Sequence, residues 1–399
     1  MHTAPPSLQQ FRDINVVLTL ASLASDCGGP SRSSTSLASG LARAGVGVDM
    51  VSLDLSATLG SPILPPEELV RSHLIPAWHS KRLRILWSPT FQHRLRACVR
   101  NSSASVIHDN GIWLPTNYAA SRVAHQLGLP LIVSLRGMLE QWSLKHRALK
   151  KKIAWGLYQK RILRGAAVLH ATSAAEAQSA RRAGFRQPIA VIPNGADLPP
   201  LNPLPATPGQ SVVFLSRIHP KKGLLDLVEA WSALRPTGWE LLIAGPDENG
   251  YRQVVEGAIR KQHLEGSVRL LGPVEGTEKS QLLQKARWFV LPSYSENFGL
   301  VIAEALAAEV PVITTHGTPW EELNERQCGM WIPTGAEALT KALRSALSMP
   351  EDIRREMGIR GRQLIAEHYG WSGIALQMKS VYLWISQGGT QPDCVQTLN

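Results

Sequence analysis

The chain is expected to be an α/β protein of two domains, for three reasons. Its 399 residues exceed what a single hydrophobic core usually organises. Apolar segments of strand length alternate with helical patterns in both halves of the sequence. Between the halves, residues 193–209 read PNGADLPPLNPLPATPG, with six prolines. Proline removes backbone donors and fixes φ, so this segment reads as an interdomain linker.

Taken in order, the first half offers strands at Ile14–Leu20, Val46–Leu53, Ser105–His108, Leu131–Ser134, Ala166–His170 and Ile189–Ile192. The second offers Ser211–Leu215, Glu240–Ala244, Val268–Leu271, Arg287–Pro292 and Val310–Thr315. Helical patterns separate them, which predicts two Rossmann-like domains, residues 1–200 and 208–370. The tail from Gln387 reads as frayed.

Hydrophobic residues make up 44% of the chain and charged residues 18%, the balance of a soluble protein with a large core. No run of eighteen apolar residues predicts a membrane span. Met1–Arg12 carries no apolar stretch of the kind a signal peptide needs. Cys27, Cys98, Cys328 and Cys394 are scattered without metal-type spacing, so a reducing, cytoplasmic setting without disulfides is expected.

Charge is distributed unevenly. The net charge is +11, yet residues 71–186 hold 20 Lys plus Arg against 3 acids. Within this basic half, Lys145–Arg161 is a cationic helical stretch containing Trp155 and Tyr158. It suits peripheral attachment to an anionic membrane, where each cation adds about 1 kcal/mol. The alternative is a solvated helix whose aromatic residues face the core. No zinc, RNA-recognition or helix-turn-helix signature accompanies the charge, so no nucleic-acid partner is expected.

The chemistry concentrates at strand ends. Glu296 and Glu304 lie eight residues apart after the Arg287–Pro292 strand, where an open parallel sheet keeps its ligand crevice. The amides of Asn297, Phe298, Gly299 and Leu300 would open the next helix and point at an anion. Glu304, two turns further along, would meet the other end of a ligand. Alternatively, Glu296 is a favourable first-turn acid and Glu304 an exposed helix residue. Arg217 and Lys222 follow the Ser211–Leu215 strand as a fork and a point charge suited to phosphate. Gly28 and Gly29 follow the first strand, where backbone can approach a phosphate or sugar.

Together the Glu-x7-Glu spacing, Arg217-x4-Lys222-Gly223 and the Gly28-Gly29 loop resemble the retaining nucleotide-sugar glycosyltransferases of family 4. The resemblance runs from Gly28 to the C-terminal helix. It implies the GT-B fold, with two Rossmann-like domains facing across a cleft and the helix within residues 371–386 returning to the first. It implies that Arg217, Lys222 and the amides of 297–300 carry the donor diphosphate without metal, and that no cofactor is needed. Glu304 would take the ribose hydroxyls, Glu296 would lie at the sugar, and the backbone near Val274 would read the base. His108 matches the family's active-site histidine, so His108 and Glu296 are the expected catalytic residues. Arg136, in Leu135-Arg136-Gly137-Met138-Leu139, resembles a stretch in enzymes of bacterial surface-polysaccharide assembly. With Asn110 and Trp113 it falls on the acceptor side. The expected partners are a UDP- or GDP-type sugar donor and a glycan or lipid-linked acceptor at the inner membrane face. A nucleotide-sugar 2-epimerase of the same architecture, or an inactive protein that binds a sugar nucleotide or nucleic acid, are the alternatives.

Overall fold

Strands buried on both faces read as unbroken apolar runs, because helices cover both sides of a parallel sheet. The computed structural model, which describes residues 14–80, 85–140, 148–200 and 210–398, shows such strands in the interior of both sheets. The chain divides into two units. The first comprises residues up to Gly195 and from Trp371 onward, and the second spans Ala196–Gly370.

The first unit contains β1 (Ile14–Ser22), β2 (Val46–Asp54), β3 (Arg71–Pro76), the small hairpin β4 (Trp78–Ser80) and β5 (Ile85–Trp87), β6 (Val106–Asn110), β7 (Leu131–Ser134), β8 (Val168–Ala171) and β9 (Ile189–Val191). The second contains β10 (Ser211–Leu215), β11 (Glu240–Ala244), β12 (Val268–Gly272), β13 (Trp288–Leu291), β14 (Val312–Thr315) and β15 (Gly329–Ile332). A last strand, β16 (Val395–Gln396), belongs to the first unit. The first unit's sheet has the order β16-β9-β8-β7-β6-β1-β2-β3, and the second's β12-β11-β10-β13-β14-β15. Every neighbouring pair in these two sheets is parallel except β16 with β9.

Alternate residues of the first sheet serve opposite cores. Val17, Ile107, Val133 and Leu169 enter one cluster, while Val16, Val106, Ile132 and Val168 enter the other. The second cluster is closed by Ile374, Ala375, Met378 and Val381 of the helix Trp371–Gln387. That helix packs on the helix Gly29–Arg43, where a Cβ on Gly40 would lie 3.2 Å from the Ala375 Cβ. Lys379 donates to the Ala44 carbonyl at the C-terminal end of the same helix (2.8 Å).

Two details differ from the sequence reading. The tail is ordered: Val395 is buried, β16 pairs with the sheet edge, and Arg181 donates to the Gln396 carbonyl (2.9 Å). In the proline-rich segment, Pro199 and Pro200 are held within the second unit by Arg362 and Gln284 (2.9 and 3.1 Å). Residues 201–209 lie outside the described residues. The cationic stretch is helical over Ala148–Ala154 and Lys160–Gly165, joined by a π-helical turn at Trp155–Gln159. Its first residues fall in 141–147, outside the described residues. Trp155 and Tyr158 pack against the core, and Ile153 and Leu157 are exposed.

Glu176 is a buried carboxylate that ties two turns together. It accepts from the Gly137 amide and from the amide of Thr172 (2.6 Å). Burial pushes its carboxyl up to about 7, against the lowering effect of these bonds. A raised acid contributes stability below its unfolded pKa and loses it as pH rises through the folded value. His108 and His170, held neutral by burial when folded but protonating near 6.5 when unfolded, add stability as pH rises and oppose this. The contribution of Glu176 alone falls by roughly 1 kcal/mol between pH 6 and 8. Relative to wild type, Glu176→Gln should therefore gain thermal midpoint as pH rises from 6 to 8, which makes its slope against pH more positive. An unchanged slope in the variant would remove Glu176 as the cause.

Candidate functional site

In the second unit, β10 and β13 are neighbours at the centre of the sheet, and the strand order reverses between them. The loops leaving their carboxyl ends therefore diverge and leave a crevice. From β10 the chain passes through a short turn, Pro220–Lys222, into the helix Leu224–Leu234. Gly223 joins the two with φ of 68°, and a Cβ there would stand 2.1 Å from the Pro292 carbonyl oxygen. Only glycine lets this turn close onto the loop after β13.

That approach brings Lys222 onto Glu296. The ammonium contacts Glu296 Oε1, and the two side chains are only 8% and 12% exposed. Ser293 donates to the same oxygen (2.6 Å), and the Glu296 amide donates to the Gly317 carbonyl (2.7 Å). Burial alone would raise the Glu296 carboxyl, but Lys222 and Ser293 outweigh it and hold the carboxyl below its usual range.

The loop after Glu296 bends at Asn297 and Phe298 before the next helix. The helix starts at Leu300, because Gly299 (φ 80°, ψ 62°) stands outside helical geometry. The amides of Asn297, Phe298 and Gly299 meet no acceptor among the described residues, and the Asn297 Oδ1 is buried without a partner. The Leu300 amide is the first orphan donor of the helix. Glu304 thus lies one helical turn in, which corrects the expected two. Lys279 donates to its Oε1 (2.5 Å), while Oε2 is buried and unpartnered. Phe298 offers no side chain to the site. Its ring packs between Trp320 and Tyr369, and Trp320 Nε1 donates to its carbonyl (2.5 Å), so only its amide can face a ligand. Arg217 pairs with Glu248 (2.7 Å) on a half-exposed surface, where an ion pair is easily exchanged for another anion. Val274 is buried in the turn after β12, ahead of the helix Gly276–Lys285 that carries Lys279.

The first unit has its own reversal, between β1 and β6. Gly28 and Gly29 stand at the start of the helix Gly29–Arg43, and Asn110 ends β6. Arg136 follows β7 and donates to Asn110, Asn194, Ser33 and Ser34. His108 does not join them. It is fully buried, its Nδ1 shares a hydrogen bond with the Tyr382 hydroxyl, and its Nε2 with Ser134 Oγ (both 2.7 Å). Both ring nitrogens are spent on the core, so the expected catalytic role is withdrawn. Trp113 (φ 86°) is held by Gln159 and Tyr158, and its ring lies against Trp155. Asp49, His73 and Cys98 bring potential ligand atoms within 4.8 Å, a grouping that the spacing of the cysteines did not suggest. Arg71 already occupies the other Asp49 oxygen (2.8 Å), and burial pushes the Cys98 thiol up to about 12, so the cluster reads as an ion pair over a core cysteine.

Residues 204–364 match the family described as Glycosyl transferases group 1, and residues 28–195 match the Glycosyl transferase 4-like domain. The chain belongs to the group 1 glycosyltransferases. The chain is 33% identical over 211 residues to the glycogen synthase of Mycobacterium tuberculosis. That match covers 51% of this chain and 50% of the relative, so the chain spans about half the length of the curated relatives it matches. The fold is that of the sucrose-phosphate synthase from Thermosynechococcus elongatus (TM-score 0.77, 23% identical, 94% of this chain and 100% of the other). Anabaena HepE in complex with UDP and glucose is also similar (TM-score 0.73, 17% identical, 92% and 99%). With its two parallel-sheet Rossmann-like units, the chain shares the GT-B fold of these neighbours.

Lys279, Ser293 and Gly317 are the site residues that sequence reading missed. Ser293 and Gly317 follow β13 and β14, the positions where polar loop residues gather, whereas Lys279 sits in an ordinary charged helix. If the Gly223 approach builds the site, Gly223→Ala should cost roughly 2–4 kcal/mol. Gly250→Ala, with similar φ (77°) and open space around it, should cost about 1 kcal/mol. Thermal unfolding of the two variants makes the comparison. Equal losses would show that strain at positive φ, not the Pro292 contact, explains the first.

Proposed function

We propose that the protein is a retaining, metal-independent glycosyltransferase. It moves a sugar from a nucleoside-diphosphate sugar to a hydroxyl of a glycan or lipid-linked glycan in cell-surface polysaccharide assembly. The observation that carries the reading is the Lys222–Glu296 pair beside free amides at the switch point of the second unit.

In the transfer, the bond from the anomeric carbon to the diphosphate oxygen breaks and a bond to the acceptor oxygen forms. Negative charge grows on the leaving diphosphate. Lys222, Arg217 freed from Glu248, and the amides of Asn297 to Leu300 are donors of the right sign to meet it. Glu296, kept ionised, accepts from sugar hydroxyls and faces the positive charge developing at the anomeric carbon. The unpartnered Oε2 of Glu304 takes a ribose hydroxyl, as acids do in other nucleotide folds. The turn at Val274 reads the base. Retention follows if the acceptor attacks from the leaving-group face and gives its proton to the departing phosphate. A trapped glycosyl–Glu296 adduct would overturn that step.

A UDP-type donor is favoured because the similar HepE was captured with UDP and glucose, with GDP as the alternative. Unfolding with UDP, GDP, ADP or no nucleotide, on wild type and Glu304→Ala, tests the donor site. A nucleotide at a hundred times its Kd adds about 2.7 kcal/mol, which raises the midpoint by roughly several degrees. A shift in wild type that Glu304→Ala abolishes is expected, and no shift with any nucleotide would remove the assignment. Sugar isomerisation without acceptor, seen by chromatography, would favour the 2-epimerase reading.

No helix among the described residues is long and apolar enough to cross a membrane. Peripheral attachment is proposed through the basic helix, where Leu157 (75% exposed) and Ile153 lie among exposed Lys152, Lys160 and Arg161. Leu157→Glu should weaken co-sedimentation with anionic phospholipid vesicles. Equal binding by wild type and variant would move the contact elsewhere.

A further inference from the structure

Lys279 stands beside the carboxylate of Glu304 and has donors to spare. It lies in the first turn of the helix Gly276–Lys285, which begins directly after the turn at Val274. That helix packs on the helix Leu300–Ala307, which carries Glu304. The Lys279 ammonium donates to Glu304 Oε1 (2.5 Å) and makes no other hydrogen bond among the described residues. The two side chains are 18% and 30% exposed, so solvent reaches the pair. Oε2 of Glu304 is buried and has no partner. The terminal torsion of a glutamate is broad, so a small rotation of the carboxylate presents that oxygen to a ligand.

A carboxylate by itself is all acceptor, and it reads a pair of neighbouring hydroxyls by accepting from both. Here one of its oxygens is already covered by a group that has three donors and no acceptor. What the pair offers a ligand is one acceptor, Oε2, with unspent ammonium hydrogens next to it. A hydroxyl can donate or accept, so the two ribose hydroxyls can meet such a pair in opposite senses. Charge points the same way. A lone carboxylate would repel the diphosphate of the same nucleotide, and its pairing with Lys279 removes most of that repulsion. A surface ion pair kept for stability alone contributes little, and it gives no reason for a buried oxygen left without a donor.

We propose that Lys279 is a ribose-binding residue of the donor site, donating to one of the two ribose hydroxyls while Glu304 accepts from the other. The proposal rests on the donor reading above and deepens it. It adds a residue that tells the two hydroxyls apart, so that one is read as a donor and its neighbour as an acceptor.

The test is calorimetric titration of the full chain with UDP, 2′-deoxy-2′-fluoro-UDP and 3′-deoxy-3′-fluoro-UDP, or with the guanosine set if GDP gives the thermal shift. Fluorine replaces a hydroxyl by a weak acceptor that cannot donate. The analogue whose fluorine meets Glu304 should bind roughly tenfold or more weaker than the parent nucleotide, and the other, facing Lys279, within about threefold of it. Which analogue is tolerated names the hydroxyl that Lys279 reads. Equal weakening of both, or weakening of neither, would overturn the proposal. Lys279→Met frees Oε1 for a second hydroxyl, so the tolerated analogue should fall roughly fivefold further behind the parent. Lys279→Arg should retain the wild-type ratios. Ratios measured within one variant cancel losses common to all three ligands, so a lysine that only supports the fold would leave them unmoved. Unchanged ratios in Lys279→Met would therefore also sink the assignment. If circular dichroism shows that Lys279→Met does not fold, the wild-type comparison decides alone. No thermal shift with any nucleotide would strike the donor reading, whereas a shift with both analogues equally weakened strikes only the role of Lys279.

Discussion

The buried pair of Lys222 and Glu296 is the constraint around which the second unit is organised. Removing either charge from water costs several kcal/mol, and the pair survives only where geometry and hydrogen bonds repay it. Here the repayment is visible. Ser293 donates to the carboxylate, Gly317 accepts the Glu296 amide, and the glycine at 223 lets two loops touch. Each of these depends on parallel β10 and β13 lying side by side. Moving one strand by a position would leave both charges buried and alone. The pair also immobilises an ammonium that would otherwise sample many rotamers. A phosphate arriving there meets a cation already placed, so little ordering entropy remains to be lost.

The two sheets share a topology but differ in electrostatics. Both reverse strand order at their centre and both gather polar side chains on the loops beyond. In the second unit the cation is answered by a carboxylate, giving a site that can hold hydroxyls and phosphate at once. In the first, Arg136 meets only amide and hydroxyl oxygens. One topology thus supports a mixed site and a purely cationic one, because the loops and not the strands carry the charges.

What could be read from the sequence followed from what is local. Strands such as Val212–Leu215 and Val168–Ala171 were legible because unbroken apolar runs have few other uses. That Glu296, Lys222 and the amides after Glu296 lie on loops beyond strand ends was legible, because such loops of parallel sheets gather polar groups. His108 was misread because a histidine at a strand end looks the same whether it faces a ligand or the core. What decides is Tyr382, supplied by a helix at the other end of the chain. The inward course of the Phe298 ring was not legible for the same reason: its neighbours Trp320 and Tyr369 are distant in sequence. The ordered tail escaped notice because a two-residue strand has too short a pattern to register, and its stability comes from the edge of β9.

Membership in the group 1 glycosyltransferases bounds the chemistry more tightly than the substrates, and the physical reason lies in where each is read. A leaving diphosphate has the same charge whatever sugar it carries, so the cations and amides that meet it can be shared across a family. A sugar or an acceptor is discriminated by a few hydrogen bonds, and a buried polar group left unpaired by the wrong ligand is the main source of that discrimination. The unpartnered atoms are therefore the informative ones here: Glu304 Oε2 and Asn297 Oδ1 in the second unit, Arg136 Nε in the first. Each is a buried group with unspent hydrogen-bonding capacity, and the two carboxyl or amide oxygens ask for donors while the guanidinium asks for an acceptor. A ligand bearing hydroxyls answers the two oxygens of the second unit, whereas Arg136, already bonded through both terminal nitrogens, has only its Nε–H unspent.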